Sequence, residues 1–143
     1  MNKNIEFLDH IYQNAEMGII GIDDILKHVD NLDMKKLIET QRKEYVNICQ
    51  TTGTIYKKYG RDEKHINMMA KMGSKMSAES TLLTSKDKDK SIAKMMIEGS
   101  NKGIIEITEQ INNNKDGDQE IIDLAKKLLK TEEYNLSEFK KYL

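Results

Sequence analysis

Apolar residues recur along most of this chain at steps of three and four, the period of one helix face. From about position 4 to 29, Leu8, Ile11, Ala15, Gly18, Ile22, Ile25 and Val29 follow that step and predict an amphipathic helix. Asp30-Asn31-Leu32-Asp33 reads as a short turn, with Asp33 placed to cap a second helix. That helix carries Leu37, Ile38, Tyr45, Ile48, Ile55 and Tyr59 and is expected to stop at Gly60. Residues 61–90 have another character. A weaker, Met-rich pattern from His65 to Leu83 precedes the charged run Ser85-Lys86-Asp87-Lys88-Asp89-Lys90, which reads as a helical crossover followed by a flexible loop. A third helix over about 91–112 rests on Ile92, Met95, Met96, Gly99, Gly103, Ile107 and Ile111. After a polar turn at 112–118, a fourth runs to Leu143 through Ile121, Ile122, Ala125, Leu128, Leu129, Leu136 and Phe139. Turns this short make antiparallel neighbours. The expected fold is therefore all-α: a four-helix bundle of two hairpins, about 4–60 and 91–143, joined by a long, partly helical crossover at about 61–90, in one domain spanning 1–143.

The two hairpins repeat each other. Gly18-Ile19-Ile20-Gly21-Ile22 recurs as Gly103-Ile104-Ile105-Glu106-Ile107. Downstream of each copy stands Glu-x-x-Asn and an aliphatic residue, Glu44…Asn47-Ile48 and Glu132…Asn135-Leu136. A duplicated hairpin builds a pseudo-two-fold bundle and sets acidic side chains at matching heights inside it. Glu132 lies among Leu128, Leu129, Leu136 and Phe139 at helical spacing, on a stripe where an unpaired charge is expensive. Glu44 follows Leu37 and precedes Ile48, Glu98 follows Met95 and Met96, and Glu16 sits among Tyr12, Ile19 and Ile20.

Composition sharpens the class. The 143 residues contain no proline and eight glycines, which leaves long helices uninterrupted. Twenty-three basic and 24 acidic residues are dispersed along the chain for a net charge of -1, and only Arg42 and Arg61 are arginines. No basic patch suited to nucleic acid results. No apolar run has membrane-spanning length and no signal-type apolar core is present, so a cytoplasmic chain with no membrane partner is expected. Cys49 stands alone, and phosphate loops, Cys-x-x-Cys pairs and nucleophile elbows are lacking. No catalytic residue, small-molecule partner or organic cofactor is assigned, and the reading leans away from an enzyme.

With its four helices, crossover and paired acids, the chain resembles the ferritin-like superfamily, in particular its rubrerythrin-like branch. That resemblance implies one Glu on each of two helices and Glu-x-x-His on the other two, gripping two iron or manganese ions. Glu16 and Glu98 take the single-Glu positions, and Glu44 and Glu132 open the two motifs. Asn47 and Asn135 stand where the histidines would be, as weak or outer ligands. The implied function is a structural or interaction bundle that has lost the full di-metal site. The alternative is a carboxylate-rich iron or manganese protein with oxidase, peroxidase or storage activity, using Glu16, Glu44, Glu98 and Glu132.

Two further features stand apart from the repeat. His65, Met69, Met72 and Met76 are spaced four, three and four, so one imidazole and three thioethers share a helix face. That donor set suits a soft ion such as Cu(I), while methionines at this spacing also serve as adaptable core filler. Gly99 and Gly103, four apart on the third helix, are expected to let another helix approach closely, as in a homodimer.

Overall fold

The computed structural model describes residues 2–61 and 85–143. Four α-helices make up the described chain: α1 (Lys3–Leu26), α2 (Leu32–Lys58), α3 (Lys88–Asn113) and α4 (Gln119–Phe139), with a 3-10 turn at Lys140–Tyr142. Every helix opens on a polar cap. Asn2, Asn31, Asp87 and Asp118 each accept a hydrogen bond from a backbone N–H of the first turn, satisfying a donor that has no partner within the helix.

Two of these caps differ from expectation. Asn31 rather than Asp33 caps α2, through a 3.0 Å bond from the Met34 N–H, and Asp33 falls inside the first turn. Asp87 caps α3, so Lys88–Lys90 are helical where a loop was expected; the alternating charges are the solvated first turn of a helix. The α2 terminus follows expectation. Gly60 takes φ +67°, a left-handed conformation that glycine adopts without penalty, and the Arg61 N–H returns to the Tyr56 carbonyl at 3.0 Å.

The architecture is a bundle of two antiparallel hairpins, α1–α2 and α3–α4, with α1 packed on α3 and α2 on α4. Polar contacts at the ends set the directions. Lys88 of α3 bonds Asp30, and Asn31 bonds Asp89, both at 2.9–3.1 Å, so α3 starts where α1 ends. At the opposite end Lys58 and Tyr59 reach Glu120 and Asp118, and the Asp118 N–H donates to Asn4. Helices α2 and α3 are thus parallel, and residues 61 and 85 lie at opposite ends of the bundle. The expected helical crossover falls on 62–84, outside the described residues.

The core is assembled from the predicted stripes. Phe7, Leu8, Ile11, Ile38, Ile48, Ile92, Leu128 and Phe139 are fully buried. On α2 the buried series Met34, Ile38, Gln41, Tyr45, Ile48, Thr52 and Ile55 alternates steps of four and three, the seam of closely aligned helices. Gln41 and Thr52 are polar members of that seam.

Candidate functional site

Among the described residues, the bundle does not close where α1 faces α3. A cleft of about 670 Å³ opens there, with Tyr45 of α2 and Glu132 of α4 contributing to its lining. Four glycines on the facing helices contribute to it. Gly18, Gly21, Gly99 and Gly103 all line the cleft and remove four side chains from its two walls. They serve different ends. A Cβ at Gly18 would lie 2.5 Å from Tyr45 Cε2, and one at Gly103 would overlap the Glu132 carboxyl group. These two glycines make room for a side chain from the partner helix of their own hairpin. Gly21 and Gly99 have nothing within 4 Å of an added Cβ. Each costs about 1 kcal/mol of helix stability relative to alanine, and what they border is open space.

Around the cleft lies a buried polar group contributed by all four helices. The Asn14 amide of α1 donates to the Gly103 carbonyl of α3 at 2.9 Å. Gln41 Nε2 donates to Tyr45 Oη at 3.0 Å and to Ser100 Oγ at 3.5 Å. Glu132, only 1% exposed, supplies the carboxyl group. Among the described residues, Glu132 Oε1 and Gln41 Oε1 are the buried side-chain oxygens with no hydrogen-bond partner. An unmade bond of that kind costs about 1–3 kcal/mol.

Electrostatics follow from burial. Desolvation, with the Glu106 charge adding to it, pushes the Glu132 carboxyl up to about 9 from its ordinary 4.5. At neutral pH it is therefore an uncharged acid. Tyr45 is also pushed up, first by burial and then by the neighbouring Glu132. Among the described residues, the cleft lining carries Asp24 from α1 and Glu98, Lys102 and Glu106 from α3.

The sequence-predicted acids are distributed unevenly about this site. Glu132 and Glu98 both line the cleft, one buried and one exposed. Glu16 is half-buried and accepts a long bond from Cys49 Sγ at 3.7 Å. Glu44 is half-buried on α2 and Asn47 is exposed. Asn135 is buried, its amide turned back on the Thr131 carbonyl of its own helix at 2.7 Å. Among the described residues no group of three or more His, Cys, Asp or Glu side chains is placed to hold a metal ion. The stripe of His65, Met69, Met72 and Met76 lies outside the described residues. Gly103, expected at a helix–helix contact, meets Glu132 within the chain.

Tyr45, beside the first Glu-x-x-Asn motif, was expected near the acids, whereas Asn14, Gln41 and Ser100 were not expected at the site. Gln41 had a legible signal, since it falls on the four-three seam between Ile38 and Tyr45. Asn14 likewise sits three residues after Ile11 on the α1 stripe. Ser100 falls on the α3 stripe in the same way, four residues after Met96 and three before Gly103.

No family model matches the chain, and no curated protein does. Two solved structures share its fold. One is a DUF305 fragment from Deinococcus radiodurans, with a TM-score of 0.73, 13% identity, and coverage of 99% of this chain and 95% of that one. The other is CopM in its Cu(I)-bound form, with a TM-score of 0.72, 13% identity and the same coverage. At this identity the likeness establishes the four-helix fold alone. It also corrects the ferritin-like and rubrerythrin-like expectation, because the bundle matches DUF305 and CopM structures. Paired hairpins with an acid on the apolar stripe are common to several helical bundles. Here the space beside Glu132 is made by Gly103. The iron or manganese implied by the ferritin-like resemblance has no support in these neighbours. Among the described residues no helix is long and apolar enough to cross a membrane.

Proposed function

We propose that this chain is a non-enzymatic binding bundle that receives a small ligand in the cleft between α1 and α3. One observation carries the reading: a cleft of about 670 Å³ lined by a buried carboxyl group with an unpartnered oxygen. The volume falls in the range of small-molecule sites, which are mostly apolar with a few fixed polar groups. Gly21 and Gly99 support it, since they lower helix stability while preserving open space. Such a cost is characteristic of sites kept for function rather than for folding. A small-molecule screen, read by thermal shift and by the methyl signals of Met17, Met95 and Met96, tests the reading. Binders should shift those three methyls, and Gly99→Leu, which fills the cleft from α3, should abolish the shift. Binding that survives Gly99→Leu overturns the assignment.

A second reading rests on the spacing of His65, Met69, Met72 and Met76 and on the fold shared with a protein solved in its Cu(I)-bound form. In it the chain binds Cu(I) through thioethers and one imidazole. Titration against a colorimetric Cu(I) chelator should show binding that is lost when Met69, Met72 and Met76 are all changed to leucine. Unchanged affinity in that variant removes the copper reading. The homodimer is likewise a proposal, resting on Gly99 as the member of the Gly99 and Gly103 pair whose added Cβ meets nothing within 4 Å among the described residues. Sedimentation showing only monomer at every concentration would dismiss it.

A further inference from the structure

The ligand class of the cleft follows from three features of its lining. The first is charge. Among the described residues, Glu98 and Glu106 border it with Lys102, so these carboxylates favour a cation over an anion. The second is depth. Glu132 is 1% exposed, lines the cleft and has an oxygen with no hydrogen-bond partner among the described residues. Oε1 itself exposes almost no surface, so an N–H or O–H donor brought by a ligand would complete it after a turn of the Glu132 side chain toward the cleft. The third is the wall. Met17, Ile20, Ile25 and Met95 line the same space, and methionine side chains adapt to irregular hydrocarbon shapes. A small metal ion would leave that apolar wall unused. The described residues also offer no cluster of three His, Cys, Asp or Glu donors.

We infer that the cleft binds an amphiphilic organic monocation, a primary ammonium on a short apolar body, with the ammonium on Glu132 and the hydrocarbon against the Met and Ile wall. The inference rests on the cleft being a ligand site and adds the chemical class. Binding carries a proton balance. An uncharged Glu132 that meets an ammonium releases its proton to solvent and becomes the carboxylate partner of the cation. The groups facing it are Asp24 on α1, Tyr45 on α2, and Glu98, Lys102 and Glu106 on α3. Of these, the carboxylates also favour a cation, and Lys102 opposes it.

Hexylammonium, 1-hexanol and hexanoate separate the possibilities, because they share one apolar body and differ in the head group. Calorimetry at pH 7 in two buffers of different ionisation enthalpy gives affinity and proton release, and the Met17, Met95 and Met96 methyl signals give location. Hexylammonium should bind saturably, shift those methyls and release close to one proton. Just above the Glu132 pKa of about 9, where the carboxylate is already formed, hexanol should bind about tenfold more weakly than hexylammonium, the usual margin of a charge-assisted over a neutral hydrogen bond. At pH 7 the cost of releasing the proton narrows that margin. Glu132→Gln should weaken hexylammonium by about the same factor and abolish proton release while leaving hexanol unchanged. Gly99→Leu keeps Glu132 intact and should block both probes. It serves as the test if Glu132→Gln does not fold. Hexanol binding as tightly as hexylammonium at the higher pH, or hexylammonium unaffected by Glu132→Gln, overturns the cation inference while leaving a ligand-binding cleft. Failure of all three probes to move the methionine methyls overturns the cation inference and argues against the cleft reading too.

Discussion

The two hairpins use the same device for opposite contents. In the first, Gly18 of α1 makes room for the Tyr45 ring of α2; in the second, Gly103 of α3 makes room for the Glu132 carboxyl group of α4. A repeated glycine thus creates two equivalent recesses, one filled by an aromatic ring and one by an acid. Burial raises the pKa of both groups. For a phenol that ordinarily titrates near 10 the shift is silent across the physiological range. For a carboxyl group it spans that range, so the second hairpin carries a cost that the first does not.

The largest test of this contrast is the pH dependence of stability. Glu132 has its folded pKa raised to about 9 from 4.5, so the unfolded chain ionises first. Stability is then fully present below about 4.5, falls as pH rises, and levels off above about 9. The slope is at most about 1.4 kcal/mol per pH unit and the whole span about 6 kcal/mol. Denaturant unfolding at several pH values should show this fall in the native chain and a flatter profile in Glu132→Gln; equal slopes would refute it. Tyr45→Phe should leave the profile below pH 9 unchanged, because its phenol is neutral in both states there.

Next in size, Glu132→Leu at pH 7 should raise stability by about 2 kcal/mol, as replacing a buried ionisable group by an apolar one of similar volume often does. The same variant should lose hexylammonium binding. A fall in melting temperature would show that the acid supports the fold. Gly18→Ala should then cost about 1–2 kcal/mol, since overpacking against a buried ring outweighs the gain in helix propensity. Gly103→Ala should cost less, because what it meets is the end of a side chain with more freedom to turn. Equal costs would erase the distinction between the recesses. Smallest, Gly21→Ala and Gly99→Ala should each stabilise by up to about 1 kcal/mol, read as a rise in midpoint at unchanged denaturant slope.

The same contrast shows what the sequence made legible. The Gly-Ile-Ile-x-Ile repeat made the duplicated hairpin legible, but not the two recesses, because a glycine on an apolar stripe does not record which partner side chain fills the space it leaves. Glu132 was legible as a buried acid from its place between Leu128 and Phe139. Its role was not, since a metal ligand and a neutral core acid occupy the same stripe and differ only in what converges on them. Glu16, Glu44 and Glu98 carried weaker signals, and their half-buried or exposed positions show why: spacing places a residue on a face but does not set how far that face turns inward. The α1–α3 cleft was beyond the sequence, because it arises where two hairpins meet and no local period records that meeting.

At the far end of the bundle, Lys3 donates to the Asn113 carbonyl and the Asp118 N–H donates to Asn4, bonds that join residues 110 and 114 positions apart. Each hairpin gathers through sequence-local contacts, whereas these clasps require the longest closure in the chain. Joining the halves is therefore expected to be the late and slow event in folding. The α1–α3 cleft lies on that seam, so it comes into being only when the halves have met. Any molecule it holds acts as a rivet between them, and its occupancy reports assembly as directly as it reports recognition.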